Sequence, residues 1–338
     1  MRFPEIIITV ILSIAATVTS TYARDSFPVV INKQDKVFSG TVLLSDISNP
    51  DRPTISEISR DGTVIWEYQL PRAMRGAIGE LNLLKNGNIL FTVFGKGIYE
   101  ITRDKKIVWE HLEKGASHDA QRLPNGNTIY NRGWVEHGGI HVREIDPSHN
   151  TVWEWTGLAD FDREPYLSVY NEGWMHVNAV TRLKNGNTLL SLRNFNTIAE
   201  VNPAGKVVHS CTFRHKGPKG LNTDGPLPGA ANHAPEFQKQ GTLLFATRRP
   251  DAIYEIDWKT CTPVHRWTHP DGKGAIRTIR DCNRLPNGNT LIVGSVKIIE
   301  VNNTGEVVWQ VNAPKSKRND RLFHRAIVIG NDGLAYGD

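Results

Sequence analysis

Residues 174–202 read WMHVNAVTRLKNGNTLLSLRNFNTIAEVN. Two alternating apolar runs flank Asn185-Gly186, and a third, TIAEVN, begins at Thr197. Alternation of period two marks half-buried strands. Asn-Gly between two such runs marks a hairpin, because its tight turn needs a positive φ that Gly and Asn adopt at little cost. The same turn recurs as LKNGNILF around Gly87, LPNGNTIY around Gly126 and LPNGNTLI around Gly288, with worn copies KQGTLLF at Gly241 and NDGLAYG at Gly333, six turns in all.

A second series follows the turns by about 20 residues and starts before the first of them: GTVIWEY from Gly62, KIVWEHL from Lys106, TVWEW from Thr151, KVVHSCTF from Lys206, TPVHRW from Thr262 and GEVVWQV from Gly305. Short runs such as GIYEIT at Gly97, AIYEID at Ala252 and KIIEVN at Lys297 lie between the two series. Each repeat therefore offers four short strands, and a period of roughly 40 to 60 residues with four strands each is the pattern of a β-propeller. The expected fold is all-β, with six blades. The N-terminal unit (GTVLLSD, TISEIS, GTVIWEY) lacks an inner strand, while HRAIVIG stands alone near the C-terminus. The C-terminal segment is expected to close the ring, with Ala326–Ile329 pairing inside the N-terminal blade. Trp66, Trp109, Trp153, Trp155, Trp267 and Trp309 recur in the outer series and are expected to pack between blades. Two longer connections, 157–175 and 214–232, are expected at the rim of a site.

Composition bounds the reading further. Of 338 residues, 39% are apolar and 22% charged, the balance of a globular chain with a sizeable core. The net charge is +5, but the 40 basic and 35 acidic residues are interspersed, which gives no reason to expect a nucleic-acid partner. The opening MRFPEIIITVILSIAATVTSTYARDS combines Arg2, an apolar run of about a dozen residues and a small-residue cleavage context at Thr21-Tyr22-Ala23. We expect a signal peptide over 1–23, a mature propeller domain over 24–338, no membrane span in the mature chain, and a periplasmic or secreted location. Three cysteines remain, with no metal-knuckle spacing. Cys211 and Cys261 lie beside outer strands of neighbouring units and are expected to pair, and three free thiols are the competing reading.

Inner strands of a propeller begin at its central channel, so the residue about eight positions before each turn glycine is expected to face the axis. Those residues are Gly79, His118, Asn178, His233, Arg280 and Arg325, with His176 and His324 beside two of them. The set is polar and basic where strand propensity favours Val or Ile, and it contains no acid. Converging Arg and His fit an oxyanion. A metal on His118, His176 and His233 would be repelled by Arg193, Arg280 and Arg325, so no metal is expected.

Three segments, SHDAQRLPNGN, WMHVNAV…NTLLSLRN and ANHAPEF…GTLLFATRRPDAIYEID, resemble in order and spacing the signatures of the bacterial aryl-sulfate sulfotransferases that work without a nucleotide sulfate donor. The resemblance runs from about Val42 to Val311. It implies a six-bladed propeller outside the cytoplasm that moves a sulfuryl group from an aryl sulfate to a phenolic acceptor through a sulfohistidine, with no cofactor. Carried over by position, the covalent histidine is His233, with Asn232 where the family has Gln. The His-x-Asn pair is His176 and Asn178, the Ser-Arg segment is Leu192-Arg193, and the His-Asp segment is His118-Asp119. His233, His118, His176 and Arg193 are thus expected to be catalytic, and Asn178, Asn232, Arg248, Arg280, His324 and Arg325 to bind substrate. A neutral His233 is required for attack, whereas His118 or His176 would serve better protonated. The competing reading is a catalytically silent propeller that binds an anionic ligand or a protein partner.

Overall fold

A computed structural model describes residues 25–217, 220–272, 274–316 and 322–337. The expected signal peptide lies outside them. Six antiparallel sheets stand in a ring. Blades 2 to 5 each use four consecutive strands: Ile78–Leu83 to Ile107–His111, Ala116–Arg122 to Thr151–Trp155, Val177–Arg182 to Val207–Thr212, and His233–Phe237 to Thr262–Trp267. Blade 6 runs from Asp281–Arg284 to Val307–Asn312 and gains a fifth, outermost strand from Val29–Asn32. Blade 1 takes Thr41–Asp46, Thr54–Ile58 and Val64–Gln69 from the N-terminal region and its inner strand from Phe323–Ile329. Leu44 pairs with Ala326 and Thr41 with Ile329, so the C-terminal strand closes the ring as expected. The outer strand added by Val29–Asn32 has no counterpart in the repeat pattern and was not expected.

The turns correct one detail of the sequence reading. The glycine of every turn has φ between +75° and +88°, but the preceding Asn does not enter that region. In the first copy Leu84 N–H donates to Asn88 O (2.8 Å) and Gly87 N–H to Leu84 O (2.8 Å), a three-residue loop in which one αL residue suffices. Asn86 instead uses its side chain, accepting from Asn88 N–H at 3.0 Å.

The motif residues around these turns also fasten blade to blade. Glu100 accepts from Asn88 of its own blade (2.7 Å) and from Arg122 of the next (3.0 Å). Glu144 does the same with Asn127 (2.7 Å) and Arg182 (2.6 Å). The guanidinium of Arg122 lies 4.4 Å over Trp109, and that of Arg182 lies 4.9 Å over Trp153. Indole N–H groups donate across the same seams, Trp66 to Arg103 O (2.8 Å), Trp153 to Pro203 O (2.9 Å) and Trp309 to Arg60 O (2.8 Å). Apolar side chains fill the space behind them: Leu43, Ile55, Ile89 and Phe91 between blades 1 and 2, and Leu189, Ile198, Phe245 and Tyr254 between blades 4 and 5. Cys211 and Cys261 form a disulfide that ties blades 4 and 5, with Cα atoms 5.5 Å apart. Cys282 is a buried free thiol.

Candidate functional site

Each inner strand starts at one end of the channel, and nearly every one is bulged there: register shifts fall between Ile78 and Leu81, Val177 and Ala179, and His233 and Glu236, and opposite Phe323–Ala326. A bulge re-aims the side chains beside it. At this end His118, His176, His233, Arg280 and His324 meet Arg193 and Arg248, which close the second strands of blades 4 and 5, around a cavity of about 190 Å³. Both long connections reach it, through Asn171 and Glu172 and through Gly220 and Ala231.

Of the ten residues expected at the site, seven line this cavity and three do not. Asn178 donates through Nδ2 to Asn232 O (2.9 Å), and Asn232 donates to Ser191 Oγ (2.6 Å) and Thr197 O (3.1 Å). Both brace the backbone that carries His233. Arg325 points along the channel to Glu80 (3.1 Å) and Asp281 (3.0 Å). The offset of eight residues reaches the cavity at His118, His233 and Arg280 but overshoots it at Asn178 and Arg325, where His176 and His324, one or two residues earlier, line it instead.

The four imidazoles are buried. His118 lies 4.9 Å from His176 and 5.9 Å from His324, ring centre to ring centre. His233 Nδ1–H donates to Ala231 O (2.7 Å), which leaves the lone pair on Nε2, and positive φ at Ala231 and Ala234 holds the backbone around it. His176, itself at φ +50°, donates from Nδ1 to Glu172 O (2.7 Å). Burial lowers the pKa of all four well below the ordinary value. Neighbouring charges add to this, chiefly His176 on His118, Arg193 on His176, Arg248 on His233 and Arg280 on His324. Burial and the neighbouring guanidiniums thus favour the neutral form of all four, the one His233 needs for attack and not the one in which His118 or His176 would serve best. The positive charge resides in the guanidiniums.

Arg193 is buried, and its Nη2 lies 2.9 Å from the half-exposed Glu172 Oε2. Asn194 donates to Asn171 O (2.9 Å), Gly173 O (2.9 Å) and Trp174 O (3.1 Å), pinning the 171–174 loop over the cavity. Sequence reasoning passed over Phe94 and Trp134, whose rings lie 4.8 and 5.1 Å from His118 and 5.0 Å from each other. The signal was present: both follow the second strand of their blades, as Arg193 does in blade 4.

Further along the inner strands the channel changes sign. Glu80, Asp119 and Asp281 are buried around Arg325, with Glu236 nearby, which corrects the reading that the axis carries no acid. Asp119 accepts from Val180 N–H (2.7 Å) and is hydrogen-bonded to Glu80. Burial raises the pKa of Asp119 and Asp281 and pushes Glu236 up to about 7.

The structure is a six-bladed propeller whose axial cavity is walled by guanidiniums and imidazoles, groups suited to the oxygens of an anion. The family described as Arylsulfotransferase (ASST) matches residues 29–212, more than half of the chain, and the chain belongs to that family. No curated protein matches it. Among solved structures, a protein of unknown function from Bacteroides caccae is similar with a TM-score of 0.61 at 21% identity, over 85% of this chain and 98% of that one. A streptogramin B lyase is similar with a TM-score of 0.55 at 14% identity, over 92% and 95%. At these identities the likeness is one of fold alone.

Proposed function

We propose that this arylsulfotransferase-family chain moves a sulfuryl group from an aryl sulfate to a phenolic acceptor by way of a sulfohistidine at His233. One observation carries the reading: His233, tied through Nδ1 to Ala231 O, keeps its Nε2 lone pair in a cavity that also holds Arg193, Arg248 and Arg280. In the first half-reaction the Nε2 lone pair forms a bond to sulfur as the bond from sulfur to the aryl oxygen breaks, and the departing aryloxide takes up a proton. In the second, the acceptor oxygen bonds to sulfur, its proton leaves and the bond from nitrogen to sulfur breaks, restoring neutral His233. Sulfuryl transfer resembles phosphoryl transfer in asking for an in-line nucleophile and stabilised equatorial oxygens. The guanidiniums serve the oxygens, the departing aryloxide takes its proton from water, and neutral His118 or His176 accepts the proton of the acceptor phenol as general base and returns it to solvent. Phe94 and Trp134 give the aryl ring an apolar wall.

The disulfide favours an oxidising compartment, in keeping with a periplasmic or secreted mature domain. Brief exposure to a chromogenic aryl sulfate, quenching and mass spectrometry should find one sulfuryl group on the peptide carrying His233. His233→Ala should lose both adduct and turnover. An adduct that persists on another histidine would reassign the nucleophile, and binding of aryl sulfates without adduct or turnover would make the chain a binding propeller.

A further inference from the structure

Outside the channel, His209 Nε2 and the sulfur atoms of Cys211 and Cys261 all lie within 4.8 Å of one another. Residues i and i+2 of a strand share a face, which brings His209 and Cys211 together on the outer strand of blade 4. The turn before the outer strand of blade 5 delivers Cys261 to the same point. A fourth donor converges there: Trp258 O accepts from His209 Nε2–H at 2.7 Å and lies 3.6 Å from Cys211 Sγ and 4.0 Å from Cys261 Sγ. The indole of Trp258 stands edge-on to the His209 ring at 4.6 Å and fixes its orientation.

We propose that this cluster is a redox-dependent metal site: once a dithiol reduces the disulfide, Cys211, Cys261 and His209 bind one zinc-type divalent ion, with Trp258 O as the fourth donor. Metal-to-sulfur bonds of about 2.3 Å and metal-to-nitrogen bonds of about 2.0 Å in a tetrahedron require donor atoms roughly 3.5 to 3.8 Å apart. His209 Nε2 is already 3.8 Å from Cys211 Sγ and 3.9 Å from Cys261 Sγ. Two edges are too short for the tetrahedron: reduction opens the one between the sulfurs, and the 2.7 Å edge between His209 Nε2 and Trp258 O lengthens as the ion replaces the hydrogen bond. Two electrons and two protons from the dithiol convert the disulfide to two thiols and leave the reductant as its own disulfide. Ion binding then expels the two thiol protons, and the imidazole proton moves through solvent from Nε2 to Nδ1, so that Nε2 presents its lone pair to the ion. The ion replaces the proton between His209 and Trp258 O, and blades 4 and 5 stay tied by a coordinate link where a covalent one stood.

The test is titration of Co²⁺ into the folded protein after reduction and removal of the dithiol under anaerobic conditions. Reduced protein should bind one equivalent and develop thiolate-to-cobalt charge-transfer and tetrahedral ligand-field absorption, whereas oxidised protein should develop neither. His209→Gln should weaken binding by roughly tenfold or more. Cys282→Ser, which removes the buried third thiol, should bind as the wild type does. Absence of the bands in reduced protein, an unchanged affinity in His209→Gln, dependence on Cys282, or loss of the fold on reduction would each overturn the proposal.

Discussion

The two ends of the channel are built from the same six inner strands and carry opposite charge. Where the strands begin, Arg193, Arg248 and Arg280 surround four neutral histidines. One to three residues further along, Glu80, Asp119, Asp281 and Glu236 surround Arg325. The difference shows how a ring divides labour. Its acidic end is internally compensated, since Arg325 meets two carboxylates and the protons retained by the raised acids remove further charge. Its basic end keeps the excess of cations that an anionic substrate requires. Substitutions should therefore separate stability from activity according to the end they touch.

The largest effect is expected at the acidic end. Arg325→Leu leaves buried carboxylates without their cation and should cost about 3–5 kcal/mol of stability, read from denaturant unfolding. Turnover per folded molecule should change little. Arg193→Gln should invert that pattern, lowering turnover of an aryl sulfate by roughly two to three orders of magnitude, as loss of one oxyanion donor does, while its melting temperature moves far less. Equal effects of both substitutions on stability would erase the distinction between the ends.

Acid and base should also pull stability in opposite directions. Glu236, with its pKa raised to about 7, binds its proton more tightly in the folded chain, so its contribution is present below pH 4.5 and is lost as pH rises through 7. The histidines have lowered values, so their contribution is present above pH 6.5 and is lost as pH falls below it. Melting temperature measured from pH 4.5 to 8 should lose its decline toward pH 7 in Glu236→Gln, and should lose part of its fall toward low pH in His324→Gln. A smaller effect is expected at the rim. Glu172 offers Arg193 a carboxylate of the chain itself, so Glu172→Gln should tighten binding of inorganic sulfate by roughly two- to fivefold in calorimetry, the scale of a half-exposed ion pair. Unchanged affinity would show that Glu172 does not compete with the ligand.

Much of this was legible before any coordinates. The six turns and six tryptophan-bearing outer strands set the number of blades, because each is a local signal repeated in register. Closure by Phe323–Ile329 followed from a missing strand at one end and a spare one at the other. What escaped the reading depends on local backbone detail. In blades 4 and 1 the cavity is lined by His176 and His324 and not by Asn178 and Arg325, and a bulge of one residue beside them leaves no mark in a pattern of period two. The acids escaped because Glu80, Asp119 and Asp281 each stand one residue past a position expected to face the axis, where strict alternation of period two places the opposite face. Phe94 and Trp134 escaped because only the first strand of each blade was searched along its whole set.

Ring closure pairs residues that lie 288 positions apart, Thr41 with Ile329. A chain that emerges from its N-terminus can assemble blades 2 to 5 from neighbouring hairpins, but blade 1 waits for its closing strand, Phe323–Ile329, until almost everything else has been made. Joining ends so distant costs about 5 kcal/mol of chain entropy, which no contact offsets until the strand docks. The last event of folding is then a search between two ends, slow for a chain of this topology, and during it the exposed edge of Thr41–Asp46 is open to pairing with another molecule.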